Sequence, residues 1–136
     1  MPSWWKKLST TDAQQQTTGG IVPYLRLTSS SLKSGHFQTW FRQSFFNICS
    51  WHPGHFNNKP VEEANVTFNV TVQGHAVGNV VFTVTHDSSR QYNNNAPNTW
   101  LHWPPKMAAI LQGTNYAGRR RVLSRDSANT FHLEIQ

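Results

Sequence analysis

The clearest signal in this chain is an alternation of apolar and polar residues with a period of two. From Ala64 to Gln73, the residues Ala64, Val66, Phe68, Val70 and Val72 alternate with Asn65, Thr67, Asn69, Thr71 and Gln73. That pattern predicts a strand with one buried face and one wet face. Gly74 and His75 make a turn, and Val77–His86 returns with Val80, Phe82 and Val84 on one face, completing a hairpin. Shorter runs predict strands at Trp4–Leu8, Ile21–Leu27, Thr99–Trp103, Gly118–Ser124 and Thr130–Ile135. Pro23 puts at least the start of the second of these at an edge or bulge. Phe37, Trp40, Phe41, Phe45 and Ile48 fall at helical spacing, which predicts a helix of about three turns with its aromatic stripe against the sheet. Lys106–Gln112 reads as a second short helix, opened by Pro104 and Pro105, with Met107, Ile110 and Leu111 inward and Gly113 as its stop. Thr28–Gly35 is a turn region, and Trp51–Pro60 is expected to be an irregular connection. The expected fold is mainly β: about seven strands and two short helices in one domain over residues 1–136, closed into a small barrel that removes most strand edges.

Two stretches break this pattern. One is Ser9–Gly20, which reads Ser-Thr-Thr-Asp-Ala-Gln-Gln-Gln-Thr-Thr-Gly-Gly. The other is residues 87–98, which read Asp-Ser-Ser-Arg-Gln-Tyr-Asn-Asn-Asn-Ala-Pro-Asn. Neither offers much to a core. Both are rich in side chains that make paired hydrogen bonds to base edges, Arg with guanine and Asn or Gln with adenine. They read as two arms projecting from one β-rich body and gripping duplex DNA from two sides. The plain alternative is a pair of solvated loops.

Charge favours the arms. Of 136 residues, 12 are Lys or Arg and 6 are Asp or Glu, a formal charge of +6, so the surface suits a polyanion. Only 13% are charged and 37% hydrophobic, which leaves an unusually large uncharged polar fraction. Six Trp, eight Phe and three Tyr supply enough apolar area to argue against disorder. Cys49 is the only cysteine, so no intrachain disulfide and no Cys-based zinc site of the usual kind is possible. No signal peptide and no membrane-spanning run is evident, and the expected compartment is the cytoplasm. Asn65-Val66-Thr67 and Asn69-Val70-Thr71 match the glycosylation sequon but are better explained as strand.

Catalysis finds little support. The acids are Asp12, Glu62, Glu63, Asp87, Asp126 and Glu134, and only Glu62 and Glu63 adjoin, whereas a metal-dependent nuclease needs clustered carboxylates. His52 and His55 are the close histidine pair, too few for zinc. His86 and His102 flank the second polar stretch and read as hydrogen-bonded strand residues. No nucleophile elbow supports Ser-His-Asp chemistry. No cofactor is expected. Arg119-Arg120-Arg121 with Arg125 is a dense positive run. On a strand only Arg119 and Arg121 would share a face, either as a solvated rim or as contacts to backbone phosphates. Lys33, Arg42, Lys59 and Lys106 are further cations whose shared faces the sequence leaves open.

Several blocks together resemble a known module. They are Trp4-Trp5-Lys6-Lys7-Leu8-Ser9 with Thr11-Asp12-Ala13-Gln14, Thr18-Gly19-Gly20, Leu25-Arg26-Leu27-Thr28, Trp40-Phe41-Arg42, Phe45-Phe46, His86-Asp87 with Arg90-Gln91, and Thr99-Trp100-Leu101-His102-Trp103. The chain is similar over nearly its whole length to the B3-like DNA-recognition domain of prokaryotic type II restriction endonucleases. In one group of these enzymes the domain follows a phospholipase-D-like nuclease; in others it is an N-terminal effector-binding or target-binding domain. Two departures stand out: Pro104 where the family often has Gly, and Ile21-Val22-Pro23-Tyr24 where relatives have a polar or Gly-rich return. The resemblance implies a seven-stranded pseudobarrel with two short helices, the fold of plant B3 transcription factors, and two arms held in the major groove like a wrench.

Base contacts are expected from Arg90 first, then Gln91, Asn93, Asn94 and Asn95, with Asp12, Gln14, Gln15, Gln16 and Thr17 on the first arm. Backbone contacts are expected from Lys6, Lys7, Ser9, Thr10, Thr18, Tyr24, Arg26, Ser88, Ser89, Tyr92, Arg119 and Arg121. The expected partner is double-stranded DNA, with a nuclease domain supplied elsewhere and no cleavage by this chain alone. A carbohydrate-binding or other β-barrel ligand module, and a stand-alone transcriptional regulator, are the other readings.

Overall fold

The long hairpin predicted by the alternation forms the spine of the molecule. In the computed structural model, residues 3–7, 24–28, 37–56, 58–90, 97–113 and 118–136 are described. Strand β4 (Lys59–Val72) pairs antiparallel with β5 (His75–His86), and Ala64, Val66, Phe68, Val70 and Val72 are buried as their period of two requires. Gln73 and Gly74 carry the turn at positive φ, where glycine costs nothing. The register shifts between Val70 and Thr71, opposite Gly78 at φ 104°, so a bulge bends the hairpin near its turn.

Around this spine the sheet runs in the order β1 (Ser3–Lys7), β7 (Arg120–Arg125), β8 (Phe131–Ile135), β4, β5, β6 (Thr99–His102) and β2 (Tyr24–Arg26). All neighbours are antiparallel except β4 and β8, which are parallel. Seven strands lie on this path, and a further strand, β3 (His52–Phe56), pairs with β4 off it. The sheet curls strongly into a half-barrel. Its two edge strands approach each other, because the Trp4 indole N–H donates to the carbonyl of Thr28, just beyond β2, at 2.8 Å. The concave face holds Trp4, Leu25, Phe68, Phe82, Leu101, Leu123 and Leu133, all shut off from solvent.

Helices cover this core. Helix α2 (Pro105–Gly113) is close to its predicted span and buries Met107 and Leu111, while Ile110 is half-exposed. Helix α1 differs from the three-turn expectation. It is one α turn (Phe37–Trp40) followed by a π-helical turn (Phe41–Phe45), closed by Phe46 N–H donating to the Phe41 carbonyl at 2.7 Å. The wider turn adds a residue and rotates the apolar stripe. Phe45 and Phe46 both face the core, and Ile48 is left 47% exposed. Arg125 caps this end by donating to the Phe45 carbonyl at 2.9 Å and to Asn47 Oδ1 at 2.7 Å.

Residues 52–56 correct the second expectation, since they form a strand and not an irregular connection. Pro53 is tolerated because β3 pairs with β4 alone. At residue 54 a Cβ would collide with the side chain of Glu63, so glycine is required there by close approach.

Candidate nucleic-acid interface

The roots of both polar stretches are strand ends on this sheet. The first leaves after Lys7 on β1 and returns to Tyr24 on β2. The second leaves after His86 on β5 and returns to Thr99 on β6. Tyr24 pairs with His102, while Leu27 N–H donates to the Thr99 carbonyl. The return of the first stretch and the root of the second are therefore separated by the length of β6, roughly 10 Å at the usual rise per residue. Between them lies the convex face of β2 and β6, with Tyr24, Arg26, Trp100 and His102. Residues Asp12, Gln14, Gln15, Gln16, Thr17, Ser9, Thr10 and Thr18 lie outside the described residues, as do Gln91, Tyr92, Asn93, Asn94 and Asn95.

The neck of the second stretch is built from buried polar groups. Asp87 N–H donates to the Asn98 carbonyl at 2.8 Å. The Asn98 side-chain amide donates to the carbonyls of Gln38, at 3.0 Å, and Asp87, at 3.3 Å. Asn98 is fully buried, so these bonds lock the neck to helix α1. Beyond the neck, Asp87 Oδ1 accepts from the backbone N–H and hydroxyl of Ser89, a local turn of the kind Asp favours. Ser88 and Ser89 are exposed on the short 3₁₀ turn Ser88–Arg90. The Arg90 side chain is not among those described.

Two histidines brace the same region. His86 Nδ1 is 2.8 Å from the Thr99 hydroxyl, and His102 Nε2 is 2.8 Å from the Thr85 hydroxyl. Burial lowers each pKa from 6.5 to about 4, so both rings are neutral at pH 7. Both are hydrogen-bonded strand residues, as their positions suggested.

The arginine run divides, and Arg121 is a correction. It was expected beside Arg119 as a phosphate contact, yet its side chain is completely buried, with the guanidinium 5.2 Å from the centre of the Trp4 ring. Pairing sets this outcome. Arg121 shares with Leu123 the face of β7 that meets the core, so its neighbour in the run faces out instead. That neighbour, Arg120, had not been singled out. Its guanidinium lies 4.3 Å over the ring of Trp5, which is 38% exposed. Arg120 is directly opposite Lys7, and Arg119 is exposed just before it. Lys6 is half-buried on the other face of β1.

Among the described residues, the ion pairs are Arg42–Glu62 and His132–Asp126, and Lys7, Arg119 and Arg120 belong to neither. On the neighbouring strand β8, the exposed acid Glu134 stands opposite Val122. Like charges directly opposite on neighbouring strands are destabilising. Lys7 and Arg120 thus form a positive pair that no ion pair among the described residues neutralises. Arg42 is occupied, 2.9 Å from Glu62 and stacked 4.5 Å over Trp51. Arg26 is exposed, 5.4 Å from the Tyr24 ring centre.

Among the described residues no group of three or more His, Cys, Asp or Glu could hold a metal ion, and His52 and His55 are both exposed on β3. No helix among them is long and apolar enough to cross a membrane. Comparison with family models, curated proteins and solved structures finds no match to this chain.

Proposed function

We propose that this chain is a sequence-specific double-stranded DNA-binding domain, the target-recognition part of a type II restriction endonuclease. The observation that carries the proposal is the rooting of two uncharged-polar stretches on one flank of a rigid sheet. The roots at Tyr24 and Thr99 lie roughly 10 Å apart along β6, on the scale of a major groove about 12 Å wide. The patch of Lys7, Arg119 and Arg120 supports it, because cations outside the ion pairs of the described residues suit phosphates. Division of labour follows: phosphate contacts set affinity and register, and the arms read bases. The endonuclease context comes from the sequence blocks that resemble the B3-like domain.

Selection from a randomised duplex pool tests the proposal. Enrichment of one short site, with affinity falling steeply as salt rises, is the expected result. Recovery of no common site, or binding that ignores salt, overturns it. A nuclease fused to this domain, or a methyltransferase gene beside it, distinguishes restriction from transcriptional regulation.

A further inference from the structure

The strand that the sequence pattern missed lies against the surface between the two arm roots. On β6, Leu101 faces the core, so Trp100 and His102 belong to the convex side. Trp100 is nevertheless only 6% exposed. Phe56, at the tip of the β3–β4 hairpin, helps cover it: its ring centre is 4.8 Å from Trp100, 4.9 Å from His102 and 5.3 Å from Tyr24. The hairpin therefore folds back over the outside of β6 and β2. Tyr24 is the first residue of β2 after the first arm, and Trp100 follows directly on the return of the second.

The chemistry of the hairpin tip is one-sided. His52, His55, Asn58 and Lys59 are exposed. Asn58 holds a tight turn at φ 62°. The hairpin's acids are further back: Glu62 is paired with Arg42, and the Glu63 side chain packs over Gly54. Arg26 adds a second exposed cation beside Tyr24.

We infer that the β3–β4 hairpin is a third DNA-contacting element, which places Lys59, opposite Phe56 at its tip, on the sugar–phosphate backbone between the two arms. The inference rests on the DNA-binding reading. Lys59 acts as a point charge, and Phe56 positions the hairpin without touching DNA. Such a contact adds affinity for any duplex and no preference among sequences.

The test measures the affinity of the whole chain for its selected site and for a random duplex across a salt series, in the wild type, Lys59→Ala and Lys59→Arg. A phosphate contact contributes about 0.9 to the salt slope, roughly eightfold in affinity between 1 M and 0.1 M salt. Lys59→Ala is expected to lower the slope by about that amount and to weaken both duplexes alike, with Lys59→Arg restoring both. An unchanged slope and affinity in Lys59→Ala, with the wild type binding, overturns the hairpin's role and leaves the two-arm reading standing. Loss confined to the selected site also overturns it, since that is base reading. Failure of the wild type to bind either duplex removes the DNA reading itself.

Discussion

Adjacent arginines in this chain do opposite jobs. Arg121 is enclosed with Trp4, and Arg120 lies in the open over Trp5. Arg121→Ala is expected to destabilise the fold by about 2–4 kcal/mol, the scale of a large-to-small change in a filled interior, seen as a lower urea midpoint. Arg120→Ala is expected to shift stability by less than about 0.5 kcal/mol while reducing the salt slope of DNA binding. The alternation of the strand was legible in the sequence; the facing was not. A rule that charged residues stay outside would put Arg121 in solvent, and only the pairing of β7 with β1 and β8 shows which parity meets the core. At Arg90, alanine is expected to cost about 1–3 kcal/mol on the selected site and to relax specificity at one base pair. Competition between the selected site and its single-base variants measures it, and equal loss on every duplex counts against base reading.

Among the elements, those with a strict period were read correctly and those with special turns were not. The β4–β5 hairpin follows directly from its alternation. Phe45, Phe46 and Ile48 could not reveal their true phase, because a π turn leaves no mark in a pattern scanned at 3.6 residues. His52–Phe56 reads as a loop because Pro53 and Gly54 are turn residues in isolation; an edge position and the nearby Glu63 side chain make them strand residues here. The neck at Asp87 and Asn98 was seen only as arm composition. Its burial depends on Gln38, distant in sequence. Asn98→Ala is expected to cost about 1–3 kcal/mol, since it strands buried carbonyls that have lost their donor. Thermal unfolding measures this cost. Hydrogen exchange is expected to rise in Ser88–Arg90 before it rises in β4.

For the molecule as a whole, the mainly β architecture, its two short helices and its barrel-like curvature were legible, while the contact that brings the two sheet edges together was not. It pairs Trp4 with Thr28, 24 residues apart, which no local pattern encodes. Acid sensitivity is also a property of the whole fold. His86 and His102 titrate near 4 when folded and near 6.5 when unfolded, so below pH 6.5 the unfolded chain takes up protons that the folded one refuses. Stability is therefore expected to be unaffected by these groups above pH 6.5 and to fall between pH 6.5 and 4. With partial solvent screening, the loss is on the order of 2 kcal/mol for the two together. Urea midpoints across that range measure it, and replacing both rings with Gln should flatten the profile.

The bond between the Trp4 indole and the Thr28 carbonyl carries a consequence for kinetics. It ties the strand before the first polar stretch to the chain just after the strand that follows it, so both feet of that long loop are anchored before any ligand arrives. The entropy of bringing these two feet together is therefore charged to folding and not to any later binding event. In the proposed DNA complex, affinity gained this way is expected mainly as slow release.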